Sequence, residues 1–277
     1  MKRILFIFSF FLLAACSVED PPLQDEGRFV VEGWIDSGGA PVVMVTSPVA
    51  ARYEEQSVSG LRNHILWRAD VRVSDDRGNE VTLTGRRDER YIPPFIYTTD
   101  KMRGLPGHSY RLEVRCNNRF AWSTTRIPDP MPLDHFSFSR GNPETALYTL
   151  TAHFPPPPEG TLFRFFTLVE GQDSTWCPST LSGTNLAGGS APILRGWSVR
   201  SPAHDPLFNA GEKVRIKCGT VDEAVYRFWA SFDDVANLSG NPVFQATSPL
   251  ESNVRGAYGI WAGYGVTYGE VLIPDEK

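Results

Sequence analysis

Apolar and polar side chains alternate with a period of two through much of this chain, a pattern that suits strands with one buried and one wet face. Ala69, Val71 and Val73 alternate with Asp70, Arg72 and Ser74, and Tyr110, Leu112, Val114 and Cys116 alternate with Arg111, Glu113 and Arg115. Turn residues punctuate the runs. Asp36-Ser37-Gly38-Gly39 separates Phe29–Ile35 from Val42–Thr46 as in a hairpin. Asp75-Asp76-Arg77-Gly78-Asn79 leads to Val81 and Leu83, Gly104-Leu105-Pro106-Gly107 precedes the run at Tyr110, and Asn117-Asn118 precedes Phe120–Ile127. Strands at this spacing over residues 28–127 predict an immunoglobulin-like β-sandwich.

Three prolines at alternate positions, Pro128-Asp129-Pro130-Met131-Pro132, cannot donate to a β-ladder and mark a linker at 128–132. Beyond it, residues 133–277 read as a second β-rich domain. Tyr148, Leu150, Ala152 and Phe154 share one face, a proline-rich turn follows at 155–160, and Leu162–Val169 is apolar on both faces. Residues 170–200 read as a long loop with a short strand near Ile193–Val199. After Val214, Ile216 and Cys218 the period changes. Thr220 and Glu223 have the spacing of a capping box, the apolar residues from Val221 to Val235 recur at helical intervals, and Gly240-Asn241-Pro242 stops the run. One α-helix is predicted near 221–236, and closing strands over Gly256–Pro274. The fold class expected is therefore mainly β: two β-sandwich (immunoglobulin-like) domains, the second with that helix.

The amino terminus carries Lys2 and Arg3, an apolar run from Ile4 to Leu13 broken only by Ser9, and then Ala14-Ala15-Cys16. This is the layout of a signal peptide over 1–15, too short to span a bilayer, with small residues ahead of a cysteine as lipoprotein processing requires. Lipidation at Cys16 is expected. Residues 16–27, polar and broken by Pro21-Pro22, read as a flexible tether. Loss of residues 1–15 removes two of the 27 basic residues and no acid, leaving 25 against 32 acidic ones. That balance argues against a nucleic-acid partner.

Signals for chemistry are sparse. His64, His108, His135, His153 and His204 are scattered without zinc spacing, so no metal or cofactor is expected. No Gly-x-Ser-x-Gly elbow, His-Glu-x-x-His helix or phosphate loop occurs, and the expectation is a non-enzyme. Asp75-Asp76 and Asp233-Asp234 read as solvated faces. Cys177 and Cys218, 41 residues apart, fit either a disulfide tying the loop to a strand or two free thiols, and Cys116 reads as a buried apolar residue. Tyr258, Trp261, Tyr264 and Tyr268, set among glycines, fit either a stacking surface for a ligand or rings packed in the core.

Phe29-Val30-Val31-Glu32-Gly33-Trp34-Ile35 with its Gly-Gly turn, Val71-Arg72-Val73-Ser74-Asp75 and Tyr110-Arg111-Leu112-Glu113-Val114 resemble the start of a Bacteroidota lipoprotein family, the domain of unknown function 4249. Tyr226-Arg227-Phe228-Trp229, Gly240-Asn241-Pro242-Val243-Phe244, Ser252-Asn253-Val254 and Gly259-Ile260-Trp261-Ala262-Gly263-Tyr264 are similar to its carboxy-terminal pattern. The resemblance implies an outer-membrane lipoprotein whose gene often lies beside that of a TonB-dependent transporter, with no established catalytic or binding residues. Glu19 and Asp20 behind Cys16 fit either a surface-export signal or an acidic spacer. The expected function is accessory: capture of an unknown small ligand for a TonB-dependent transporter, or a lid over it, from a lipid-anchored position on the cell surface. The alternatives are an envelope adhesion or scaffold module and, third, a hydrolase without a recognisable motif.

Overall fold

The computed structural model describes residues 28–48, 60–140, 147–182, 189–197, 205–238 and 250–275. The signal segment 1–15, Cys16, the tether 16–27, His204 and the Gly240-Asn241-Pro242 stop lie outside them. The first half contains β1 (Val30–Asp36), β2 (Val42–Thr46), a single 3-10 helical turn (Gly60–His64), β3 (Asp70–Asp75), β4 (Glu80–Thr82), β5 (Thr84–Arg87), β6 (Phe95–Thr98), β7 (Ser109–Cys116) and β8 (Arg119–Arg126). The second contains β9 (His135–Arg140), β10 (Leu147–His153), β11 (Leu162–Val169), β12 (Cys177–Ser182), β13 (Ser190–Ile193), β14 (Phe208–Asn209), β15 (Lys213–Val221), α1 (Glu223–Leu238) and β16 (Tyr258–Leu272).

Local chemistry closes the hairpins where the turn residues predict them. Between β3 and β4 the Asp75 carboxylate accepts the amide N–H of Arg77 at 3.0 Å and of Asn79 at 2.8 Å. Burial pushes the Asp75 carboxyl up, but these bonds and those from the Asn79 and Arg77 side chains outweigh it and hold the group below its usual value. Asp75 is thus a buried turn ligand, not part of a solvated face. Between β7 and β8, Asn117 and Asn118 both adopt positive φ, 50° and 60°, the backbone of a two-residue hairpin turn.

An eight-stranded sheet runs β12-β11-β15-β16-β1-β2-β6-β5, with two smaller sheets, β4-β3-β7-β8 and β13-β10-β14 plus β9 on β10. Each smaller sheet forms one sandwich with part of the large one. In the first, Val71, Val73, Leu112 and Val114 meet Val31, Ile35, Val43 and Trp261; in the second, Leu150 and Ala152 meet Phe163, Phe165, Val214 and Ile216. All are fully buried, and each such aliphatic or aromatic side chain stabilises by about 1.5–3 kcal/mol. The protein is therefore mainly β and built of β-sandwiches.

The two sandwiches share β16. Its residues 258–264 pair in parallel with β1, and residues 265–272 pair antiparallel with β15. This changes the domain division expected at 133–277, because Val254, Ala257 and Trp261 belong to the first core rather than the second. Trp261 lies across β1 directly opposite Gly33, where a Cβ would come within 2.9 Å of the indole, so only glycine admits the ring. The linker then crosses β16 so closely that a Cβ at Gly265 would sit 2.2 Å from the Pro128 carbonyl oxygen.

Two further expectations are corrected. The helix begins at Glu223, and its N-cap is Asp222, whose carboxylate accepts the Val225 amide N–H at 2.9 Å. Thr220 is not a cap: it belongs to β15, and its hydroxyl is bonded to the carbonyls of Asp129 and Gly265. Residues 170–200 also hold more than a loop, since β12 extends β11 and β13 pairs with β10. No helix among the described residues is long and apolar enough to cross a membrane.

Candidate functional site: a cleft beneath the helix

The alternation that sends Val31, Gly33 and Ile35 into the first core sends Val30, Glu32, Trp34 and Asp36 to the opposite face of the large sheet. On neighbouring strands that same face carries Ile260, Ala262 and Tyr264 of β16, Lys217 of β15, and Arg164 and Phe166 of β11. Helix α1 lies over it. Val225 and Phe228 of the helix are buried against Phe166, Ile260 and Tyr264 in a third apolar cluster, with Trp34, Trp176, Trp229 and Phe232 at its margin. The Asp222 carboxylate fixes the helix start to the first sandwich, accepting the Thr125 hydroxyl at 3.1 Å and the Arg126 amide at 3.3 Å.

Sheet and helix leave a cleft of about 440 Å³ between them, at the junction of the sandwiches. Its walls are rich in aromatic rings, including Trp34, Tyr91, Phe166, Trp176, Trp229 and Tyr264, and its charged groups are Glu32 and Lys217. A second hollow, about 510 Å³, lies between the proline runs 128–132 and 155–158. Prolines make up much of its walls and no aromatic ring among the described residues lines it, so the cleft is the better candidate.

Lys217 is closed within the protein. Its ammonium donates to both oxygens of Asp36 at 2.7 Å, 5.0 Å from the centre of the Phe166 ring and 4.7 Å from that of Tyr264. The Tyr264 hydroxyl accepts the Trp229 indole N–H at 2.8 Å, and burial pushes its own ionisation far above the usual phenol range. Arg164 donates to Asp233 at 2.8 and 3.1 Å and stacks 4.2 Å from the Trp229 ring centre, while its Nε–H has no acceptor among the described residues. Asp233, expected on a solvated face, therefore compensates a buried guanidinium.

Glu32 differs from these groups. It has no hydrogen bond or ion pair among the described residues, and its strand neighbours are Met44 and Ile260. The side chain is exposed to solvent on the cleft wall, with the protein atoms of that wall around it. Desolvation by that surrounding protein pushes its carboxyl up to about 7.

The other candidate residues separate. Trp261 is fully buried on the first-core face, its indole N–H donating to the Tyr110 carbonyl at 2.9 Å, so it is a core ring. Tyr264 lines the cleft, whereas Tyr258 and Tyr268 are about half exposed at the two ends of β16. Tyr258 takes the Arg28 guanidinium over its ring, and Tyr268 packs against Trp176. The four do not form one surface. Cys177 and Cys218 are free and buried, as is Cys116. Cys177 on β12 and Cys218 on β15 flank β11 from opposite sides, facing Thr167 and Phe165. Two strand spacings, about 9–10 Å, separate them, beyond the reach of a disulfide. His135 and His153 stack as a cross-strand pair at 4.3 Å, and no cluster of three metal-ligating side chains occurs among the described residues.

Sequence reasoning missed Glu32, Lys217 and Asp36 as parts of a site. The available signal was Trp34, an aromatic ring on the supposedly wet face of β1.

Among solved structures, the chain is similar to a two-domain fibronectin type-III segment of chicken tenascin, at 10% identity over 89% of this chain and 99% of that one, with a TM-score of 0.24. It is also similar to the FN1–FN3 domains of chicken CNTN1, at 8% identity over 90% of this chain and 68% of that one, with a TM-score of 0.25. No curated protein matches it in sequence. A family model described as a domain of unknown function, DUF4249, matches residues 18–269, and the chain belongs to that family.

Proposed function

We propose that this protein is a non-enzymatic outer-membrane lipoprotein of Bacteroidota, anchored by lipid on Cys16 and exposed at the cell surface, that captures a small ligand for a TonB-dependent transporter. The observation that carries the reading is the aromatic cleft of about 440 Å³ beneath α1. Ligand sites are typically concave, largely apolar and of about 300–1,000 Å³, with few polar groups to set orientation. This cleft has that character, and its lysine is already neutralised by Asp36. The sequence Leu13-Ala14-Ala15-Cys16 and the polar, proline-containing sequence behind it support the anchor.

The partner is tested by affinity purification of the tagged, lipidated chain from detergent-solubilised outer membrane. Recovery of a TonB-dependent transporter supports the reading, and its absence from the eluate counts against it. Export is tested by protease shaving of intact cells: cleavage of the chain supports a surface position directed by Glu19 and Asp20, and full protection refutes it. Capture is tested by native mass spectrometry of the chain purified from its own envelope. A small molecule should travel with the wild type and be lost from Trp229→Ala, which opens the roof of the cleft; no bound mass in the wild type would sink this half.

A further inference from the structure

We propose that the cleft beneath α1 takes a small organic cation, a protonated amine or quaternary ammonium group, with Glu32 as its counter-charge and the surrounding rings as its walls; this rests on the ligand-capture reading above. The charges on the wall decide the sign. Lys217 and Glu32 are the charged residues lining the cleft among the described residues, and the lysine is spent on Asp36 at 2.7 Å. Glu32, the other charge on the wall, has no hydrogen bond or ion pair among the described residues. A carboxylate so placed, between Met44 and Ile260 and open to the cleft, gives the wall a net negative charge that a cation would offset. An anion entering here meets Glu32, and the cation lining the cleft among the described residues is already neutralised by Asp36.

The rings give the second, independent line. Trp34 stands two residues from Glu32 on the same face of β1, and Tyr91 packs against it at 5.8 Å. Aromatic faces attract cations, most strongly where water is excluded. The site's own construction already shows the affinity, since Lys217 lies over Phe166 and Tyr264 and Arg164 over Trp229.

Few other titratable groups face Glu32. Lys217 comes from β15 and Asp36 from β1, Tyr264 from β16, Tyr91 from the segment before β6, and Cys177 from β12, while α1 presents Phe228, Trp229 and Phe232. Arg164 and Asp233 bind one another. Raised to about 7, the Glu32 carboxyl is the group in this set poised to change charge near neutrality, and only its ionised form attracts the cation.

The test uses the full lipidated chain in uncharged detergent, with choline and its uncharged carbon isostere, dimethylbutanol, as probes. Binding is read from tryptophan fluorescence, because Trp34, Trp176, Trp197 and Trp229 line the cleft. Choline should bind at least about tenfold more tightly than the alcohol, and Glu32→Gln should remove about that factor for choline while leaving the alcohol unchanged. Independently of any variant, choline affinity of the wild type should fall between about pH 8 and about pH 5 as Glu32 takes up its proton. Equal binding of both probes, or a Glu32→Gln variant that keeps the choline preference, overturns the cation assignment and leaves ligand capture standing. No binding of either probe also overturns the cation assignment, and ligand capture is then decided by the native mass spectrum alone.

Discussion

The ion pair between Lys217 and Asp36 ties the second sandwich to the first across β16, and its energetics can be worked from its geometry. The contacts are 2.7 Å, and the side chains are 4% and 14% exposed. At an effective dielectric of about 20, two unit charges at 2.7 Å attract by about 6 kcal/mol. Desolvation of each ion costs several kcal/mol in opposition, so the pair as a whole adds little over an apolar pair of the same volume. Removing one partner is different, because the other charge stays buried and uncompensated, at a cost of about 3–5 kcal/mol. The more deeply buried ammonium is the harder to leave alone. Asp36→Ala should therefore lower the unfolding free energy by about 3–5 kcal/mol, Lys217→Met by less, since Asp36 can recover water, and the double variant Lys217→Met, Asp36→Leu by less than the sum of the two single changes. A urea titration followed by tryptophan fluorescence measures all three, with unchanged slopes showing that only stability has moved. Loss of less than about 1 kcal/mol in Asp36→Ala, or additivity of the single changes, would refute a buried and mutually dependent pair.

Asp222→Ala removes the helix N-cap together with the bonds to Thr125 and Arg126, and should cost about 1–2 kcal/mol in the same titration, whereas Thr220→Ser, which keeps its hydroxyl, should cost less. Alkylation after unfolding without reductant should label Cys116, Cys177 and Cys218 alike, as read by intact mass, and a pair of unlabelled cysteines would contradict the strand spacing. For Glu32 the folded carboxyl, at about 7, lies above its unfolded value of 4.5, so the native state holds the extra proton. Its contribution to stability is full below 4.5 and is lost as pH rises through about 7. Glu32→Gln, which stays neutral, should thus melt higher than the wild type above that window and approach it in acid, and a constant difference across pH would exclude the linkage.

The elements most legible in the sequence are those whose alternation ends in turn chemistry. β2, β3, β7 and β11 lie where period and turn residues place them. The strands that escaped are those whose environment gives no alternation. All four residues of β5, Thr84–Arg87, are exposed at the end of the large sheet, so neither face demands apolar side chains. β12 ends the same sheet at its other edge and contains Pro178, which an edge position tolerates and a sequence reading takes as a break. β16 reads as strand, but the partition of its partners between β1 and β15 is a long-range fact that its glycines and aromatic rings do not encode locally.

The cleft was hidden for a related reason. Alternation says which side chains share a face and leaves open what lies over that face. Val30, Glu32, Trp34 and Asp36 share one side of β1, and for an isolated sandwich that side is the wet one. It becomes an interior wall because β16 carries the sheet on into the second sandwich and α1 covers the join. The helix is held by Asp222 on Thr125 and Arg126, residues nearly a hundred positions earlier in the chain. Glu32 and Asp36 are thus ordinary polar positions locally and differ in what the distant chain supplies: Asp36 receives Lys217, and Glu32 receives no side-chain partner among the described residues. A carboxylate on the wall of a cleft ringed by aromatic side chains, in contrast with one on an open sheet face, becomes the charge on which ligand choice in the cleft would depend.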